Sequence, residues 1–108
     1  MEDNINDANF DEKINRPGRF VLVDFFADWC GPCKVLGPIL DKVAEQFKDN
    51  VVLLKANLDN IPATAQKFGV EKIPTVVLLK DGKPVSGFVG LVPEESIVNW
   101  LKNIIEKQ

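Results

Sequence analysis

The sequence predicts an α/β fold in which a central mixed sheet of four to five strands is flanked on both faces by about four helices. Three observations lead to this prediction. Residues 20–27 form an apolar run without alternation, which is typical of a strand covered on both faces. A helical pattern follows this run directly, and a hairpin signal comes later in the chain. A strand that leads through a helix into another strand indicates a parallel βαβ unit.

The first half of the chain contains the strongest patterns and also the weakest. Residues 4–6 and 8–15 carry weak signals for a short strand and a short helix. The apolar strand at 20–27 is expected at the centre of the sheet because both of its faces are apolar. The helix that begins at Pro32 has an apolar stripe at helical spacing, and Pro38 is expected to kink this helix rather than end it.

The second half of the chain alternates strand and helix and ends on a helix. Residues 51–57 predict a second strand, and a shorter helix at 62–68 is followed by a glycine. Two strands around an Asp-Gly turn form a hairpin over residues 75–89, which makes the sheet mixed. Pro84 places the last strand at an edge of the sheet. Pro93 opens a final helix with its own apolar stripe.

Composition favours a single domain over residues 1–108. With 45% hydrophobic and 27% charged residues, a chain of 108 residues buries a core without metals or disulfide staples. The 13 Lys and Arg residues against 16 Asp and Glu give a net charge of -3, which provides no basic footprint for nucleic acid or for anionic membranes. No apolar stretch is long enough to span a bilayer, and the first residues do not form a signal peptide. A reducing cytoplasmic compartment is therefore the default expectation, and a trimmed organelle or secreted form would show the same pattern.

Cys30 and Cys33 are the only two cysteines, and they lie between the apolar strand and the helix that follows it. Two thiols one helical turn apart can reach the ~5.5 Å Cα separation that a disulfide prefers. A disulfide over this spacing closes so short a loop that it stabilises the fold by only ~2 kcal/mol. The pair is therefore better explained as a redox-active dithiol than as a staple. A zinc site would need two further ligands, and the chain has no other Cys and no His.

The position at the start of a helix makes the two thiols unequal. The thiolate is the nucleophile in disulfide exchange, and an ordinary thiol is mostly protonated at neutral pH. Free backbone N-H groups and the helix dipole stabilise an anion at Cys30, whereas Cys33 lies one turn into the helix. We therefore predict that Cys30 attacks and that Cys33 resolves the mixed disulfide. Gly31 and Pro32 supply no cationic histidine between the thiols, which argues for a reductant.

Two charged residues interrupt the predicted buried strands. An ionised Asp24 would be costly in the most apolar strand. It is either a proton acceptor for Cys33 with a raised pKa, acting through a water, or a residue at a strand bulge that reaches solvent, and the residues alone leave these alternatives even. Lys55 either lies beside Asp24 and biases its ionisation, or covers apolar surface with its stem while its head reaches water. The residues alone favour the second alternative for Lys55.

The order of motifs closely resembles the thioredoxin family over nearly the whole chain. The matching segments are Val23-Asp24-Phe25, Ala27-Asp28-Trp29-Cys30-Gly31-Pro32-Cys33-Lys34, Pro38-Ile39-Leu40, Ile73-Pro74-Thr75, Lys80-Asp81-Gly82 and Val89-Gly90. A lone Cys-x-x-Cys is a weak signal, but a Trp-Cys-Gly-Pro-Cys run joined to a downstream Ile-Pro-Thr is highly specific. The chain departs from the family at Phe26, where a tryptophan is common, and in its short N-terminal strand.

The resemblance implies a thioredoxin fold and a thiol-disulfide oxidoreductase that reduces disulfides in target proteins through a mixed disulfide. It favours the proton-acceptor role for Asp24. It also implies that Pro74 is cis and faces the disulfide, which would leave the backbone of Ile73 to pair with an extended target strand. The docking surface that it implies consists of Trp29, Gly31, Pro32, Ile73, Pro74, Val89 and Gly90. Without the resemblance, ordinary core packing would be preferred for Trp29 and Val89.

The resemblance further implies a monomer without a bound cofactor that receives reducing equivalents from NADPH through a thioredoxin reductase. Its partners would be that reductase and disulfide-containing target proteins such as reductases and peroxidases. Two other classes of function compete with this one. The chain could be a rigid docking domain in which redox chemistry is incidental. It could also be an oxidase or isomerase of secreted proteins, which the Gly31-Pro32 pair and the absence of a signal sequence disfavour.

Overall fold

The computed structural model describes residues 2–107, in which four strands form one mixed sheet. The elements are α1 (Phe10–Lys13), β1 (Phe20–Phe26), α2 (Gly31–Gln46), β2 (Val51–Asn57), a 3-10 turn (Leu58–Asn60), α3 (Pro62–Lys67), β3 (Thr75–Lys80), β4 (Lys83–Val89) and α4 (Glu94–Glu106). The strand order is β2-β1-β3-β4, with β1 parallel to β2 and antiparallel to β3. The predicted α/β architecture and the central position of β1 are confirmed.

The two faces of β1 pack against different helices. Val21, Val23 and Phe25 belong to a core that includes residues of α1 and α3. Phe20 and Leu22 belong to a second core, which includes residues of α2 and α4. Since side chains alternate along a strand, the next even position of β1, residue 24, also faces α2. The sheet therefore presents a buried position of its central strand to the helix that carries the cysteines.

The N-terminal segment differs from its prediction. No strand forms at residues 4–6 and the predicted helix is confined to α1, while Glu2 makes an isolated parallel bridge with Leu54. The backbone N-H groups of Asn6 and Asn9 donate to each other's side-chain oxygens at 2.8 and 2.9 Å, respectively. Such side-chain bonds to the backbone compete with a strand ladder. The sheet thus has four strands within the described part of the chain, and the fifth is reduced to one bridge.

The hairpin of β3 and β4 forms the other edge of the sheet, as Pro84 predicts. Proline lacks the N-H that a central strand would need, and among the described strands β4 pairs with β3 alone. Its register shifts between Leu78 and Leu79 on the partner strand. Helix α2 continues through Pro38 to Gln46 without ending there. Within residues 2–107, no helix is both long enough and apolar enough to cross a membrane.

Candidate active site

Cys30 and Cys33 form a disulfide at the start of α2, with their Cα atoms 5.3 Å apart. Cys30 is the N-cap residue of the helix, with an extended backbone, and its Sγ accepts a hydrogen bond from the backbone N-H of Cys33 at 3.2 Å. Both cysteines are buried to a similar degree, so exposure does not distinguish them. The hydrogen bond does, because the first turn of the helix directs a free N-H group at the sulfur of Cys30.

The Ile73-Pro74 peptide bond is cis, as the resemblance implies. Ile73 packs against the cluster of Ala27 and the two cysteines, so the cis-proline loop lies beside the disulfide. The carbonyl of Pro74 accepts a hydrogen bond from the N-H of Gly90 at 2.8 Å, which ties this loop to the end of β4. Ile73 lies outside the helices and strands, and its backbone N-H and C=O groups make no hydrogen bond to another backbone group of residues 2–107. Its polar groups therefore remain available to a partner.

The predicted docking residues lie mostly at the surface. Trp29 is 76% exposed and Val89 is 58% exposed, so the expectation of ordinary core packing for these two residues is wrong. Gly31 and Pro32 are also exposed. The structure adds two exposed apolar residues that sequence reasoning missed, Val35, at 53%, and Leu91, at 49%. Val35 lies one helical turn from Pro32, and Leu91 follows Gly90 directly; these short separations were the available signal.

Asp24 is buried in the middle of β1, only 2% exposed. It pairs in register with Lys55 of β2 and Val76 of β3, so the alternative of a solvent-reaching residue at a bulge is wrong. Its Oδ1 has no hydrogen-bond partner among residues 2–107. Burial raises the pKa of Asp24 from 3.8 to about 6, against the opposing charge of Lys55 and with a further contribution from Asp41. The carboxyl therefore titrates close to neutral pH.

A cavity of about 240 Å³ connects Asp24 with Cys33. It is partly open to solvent and is also lined by Asp28, Lys34 and Lys55. This volume far exceeds the ~15 Å³ that a single water needs. The arrangement therefore provides a route between the buried carboxyl and the inner cysteine that is wide enough for a water bridge.

Lys55 lies beside Asp24 on the neighbouring strand, as one of the two predicted alternatives requires. However, its ammonium group contacts helix α2. Nζ is 2.9 Å from Oδ1 of Asp41, and it donates a hydrogen bond to the carbonyl of Gly37 at 3.0 Å. The Lys55 side chain is only 14% exposed, and its head binds to α2, whereas the second alternative expected a head solvated by water. Gly37 and Asp41 were not among the predicted site residues, although Cys33, Gly37 and Asp41 follow one another at intervals of four, which places all three on one helix face.

A dithiol that can close into a disulfide, held at a helix N-terminus beside a cis-proline, defines a thiol-disulfide oxidoreductase. A family model described as Thioredoxin matches residues 2–103. The chain belongs to the thioredoxin family, and it is a protein-disulfide reductase of that family.

Curated relatives match almost the full length of the chain. It is 40% identical over 97 residues to Thioredoxin 1 of Synechococcus elongatus, covering 90% of this chain and 91% of the relative. It is 38% identical over 105 residues to the thioredoxin of Rickettsia typhi, covering 97% and 100%, respectively. The thioredoxin of Haemophilus influenzae is 41% identical over 101 residues, with 94% of each chain covered. Members of this family generally hold no cofactor, and residues 2–107 contain no cluster of three or more metal-ligating side chains.

Proposed function

We propose that the chain is a single thioredoxin domain over residues 1–108 that reduces target disulfides with Cys30 as the nucleophile and Cys33 as the resolving thiol. The observation that carries the assignment is the hydrogen bond from the Cys33 N-H to the Cys30 sulfur at 3.2 Å. In the reduced protein, this donor and the positive end of the α2 dipole favour an anion at Cys30. Because Gly31 and Pro32 supply no charged side chain between the two thiols, the helix terminus is the feature that makes the thiols unequal.

The proposed reaction has two exchange steps. The Cys30 thiolate attacks one sulfur of the target disulfide, forms a mixed disulfide with it and releases the other target sulfur as a thiolate. Cys33 then loses its proton and attacks the Cys30 sulfur. This step forms the Cys30-Cys33 disulfide seen in the structure and breaks the bond to the target, whose second sulfur leaves as a thiolate. Two electrons pass from the dithiol to the target, and water protonates the released thiolates.

The second step needs a base, and we assign this role to Asp24. Its pKa of about 6 leaves it mostly ionised at neutral pH, yet it is far more basic than an ordinary aspartate. The cavity that it shares with Cys33 supports proton transfer from the thiol through a water. Lys55 acts only indirectly in this proposal, through its charge beside Asp24.

The target is proposed to dock on the exposed surface around the disulfide. The free backbone groups of Ile73, beside the cis-Pro74, would pair with an extended segment that carries the target cysteine. Trp29, Val89 and Gly90 would cover that segment with apolar surface. Because main-chain pairing reads no particular side chain, this mode of docking tolerates many target sequences.

The electron source and the partners follow from family membership. We propose that NADPH reduces the Cys30-Cys33 disulfide through a thioredoxin reductase, so that the chain acts as an electron carrier without a bound cofactor. Its targets would be disulfide-containing proteins such as reductases and peroxidases. The proposed setting is the cytoplasm, where a monomeric dithiol carrier stays reduced.

Turnover of a disulfide-bonded protein by NADPH, thioredoxin reductase and this chain tests the proposal. NADPH oxidation should require both cysteines. The Cys33→Ser variant should accumulate mixed disulfides on Cys30, and the matched Cys30→Ser variant should accumulate few. Comparable trapping by both variants would contradict the assignment of the nucleophile. Function retained by the double serine variant would instead identify a docking domain.

A further inference from the structure

The ammonium group of Lys55 is held by helix α2 rather than by the carboxylate beside it. Asp24 and Lys55 are register partners on adjacent parallel strands, and both face α2. The ion pair of Lys55 is nevertheless made with Asp41, at 2.9 Å, and its hydrogen bond goes to the Gly37 carbonyl, at 3.0 Å. Asp24 Oδ1 has no partner within residues 2–107. The cation on the adjacent strand is thus engaged with α2 instead.

Gly37 leaves room for this contact. A Cβ atom at position 37 would lie 3.3 Å from Nζ of Lys55, closer than most carbon contacts, so a larger residue would require the ammonium group to shift by a few tenths of an ångström. Glycine inside a helix costs roughly 1 kcal/mol relative to alanine. Here it opens the helix surface at the point where the lysine reaches the backbone. Gly37 and Asp41, one turn apart, together form a two-point receptor for the ammonium group.

Four charged groups surround Asp24 within residues 2–107. Lys55 of β2 and Asp41 of α2 act on its charge, and Asp28 and Lys34 line the cavity that it shares with Cys33. We propose that Asp41 and the Gly37 carbonyl are positioning groups that keep the Lys55 ammonium on α2, and so preserve the affinity of the Asp24 carboxyl for the Cys33 proton. This inference rests on the proposed role of Asp24 as the proton acceptor. Lys55 opposes the raised pKa of Asp24 and Asp41 supports it, in agreement with this arrangement.

The first test is an NMR titration of the Asp24 carboxyl carbon in the parent and in Asp41→Asn. Freed from α2, the ammonium group can move toward Asp24, so the titration midpoint should fall by about one pH unit. Asp41→Glu keeps the charge and should restore most of the parent midpoint. Glu45→Gln is the matched control: it removes a carboxylate from the next turn of α2, where the partner is Lys48 at 3.5 Å. An unchanged midpoint in Asp41→Asn, or an equal fall in the control, would overturn the inference.

A second comparison separates positioning from simple charge. Asp41→Asn is repeated in the background of Lys55→Met, where no ammonium group remains to be released. The fall in the Asp24 midpoint should then be clearly smaller than in the parent background. An equal fall in both backgrounds would show that Asp41 acts on Asp24 directly, which would also overturn the proposal.

The kinetic test uses the mixed disulfide between Cys30 and thionitrobenzoate, whose coloured thiolate is released when Cys33 attacks. The low-pH limb of this release should move toward lower pH in Asp41→Asn by the same amount as the NMR midpoint. A moved midpoint with an unmoved kinetic limb would refute Asp24 as the proton acceptor, while positioning by Asp41 would stand. The NMR result thus does not depend on the catalytic assignment.

Discussion

The free energy of unfolding of Asp24→Asn, taken relative to that of the parent, should be higher at neutral pH than at acidic pH. The parent carboxyl is 2% exposed, and burial raises its pKa from 3.8 to about 6. Below 3.8 the carboxyl is protonated in both the folded and unfolded states. As the pH rises from 3.8 to about 6, the unfolded chain releases this proton while the folded protein keeps it, and above about 6 the folded protein holds a buried anion. The parent therefore loses stability over this range.

The size of that loss follows from the gap of about two pH units, which at about 1.4 kcal/mol per unit corresponds to about 3 kcal/mol. Asparagine cannot ionise, and whatever its amide costs when buried is the same at every pH. The stability of Asp24→Asn minus that of the parent should thus rise by about 3 kcal/mol from the acidic to the alkaline side.

Urea unfolding of both oxidised proteins at several pH values measures this difference directly. Subtraction removes the contributions of all other titrating groups, provided that both proteins unfold in two states with the same dependence on urea. A difference that stays flat with pH would refute the raised pKa of Asp24. A difference that falls with rising pH would mean that the ionised carboxyl has a stabilising partner.

Three further predictions concern the reaction and the fold. Asp24→Asn should slow resolution of the mixed disulfide on the order of 100-fold but leave the initial attack nearly unchanged; equal slowing of both steps, measured by stopped flow, would exclude its role as a base. Asp7→Ala should lower the Tm, because the Asp7 carboxylate accepts hydrogen bonds from the start of α3, at 2.9 and 3.1 Å. The hydroxyl of Thr64 and, after it, the two backbone N-H groups of α3 lower the pKa of Asp7, so the Tm difference should shrink as the pH falls below 3.8, and a constant difference would contradict this. Gly87→Ala should cost ~1 to 3 kcal/mol in urea unfolding, because its Cβ would lie 2.7 Å from the carbonyl oxygen of Val76; Val85→Ala on the same strand is the control, and equal stability of the two variants would argue against a clash.

The sequence predicted the centre of the molecule well because its signals there are local. The run at 20–27 is apolar on both faces, and only a central strand can bury such a run. The helical stripe after Pro32 and the Asp-Gly turn are also readable within a few residues. The prediction of a strand in the N-terminal segment was wrong because a competing side-chain interaction decides the local structure. Its few apolar residues fit a strand, but the reciprocal bonds of Asn6 and Asn9 favour a turn.

The surroundings of Asp24 could be predicted only in part. The residues alone favour a solvent-reaching Lys55 over one beside Asp24, yet the two residues are register partners on adjacent parallel strands. The destination of the lysine head could not be predicted, because it depends on where α2 crosses the sheet. A pattern of apolar residues fixes which face of a helix is buried but not which side chain of a strand lies under a given turn. The contact with Asp41 therefore becomes visible only in the structure.

The stability argument also bears on why a carboxyl occupies this position. Asp24 lies in the most apolar strand without a partner for Oδ1 within residues 2–107, and its ionisation weakens the fold by about 3 kcal/mol above its pKa. The Cys30-Cys33 disulfide offsets only ~2 kcal/mol of this loss of stability, since it closes so short a loop. A structural role would place a neutral side chain here, because removing a buried charge relieves its desolvation cost. A role in proton transfer, by contrast, requires an ionisable group at this position. The cavity that Asp24 shares with Cys33 gives its carboxyl access to a thiol.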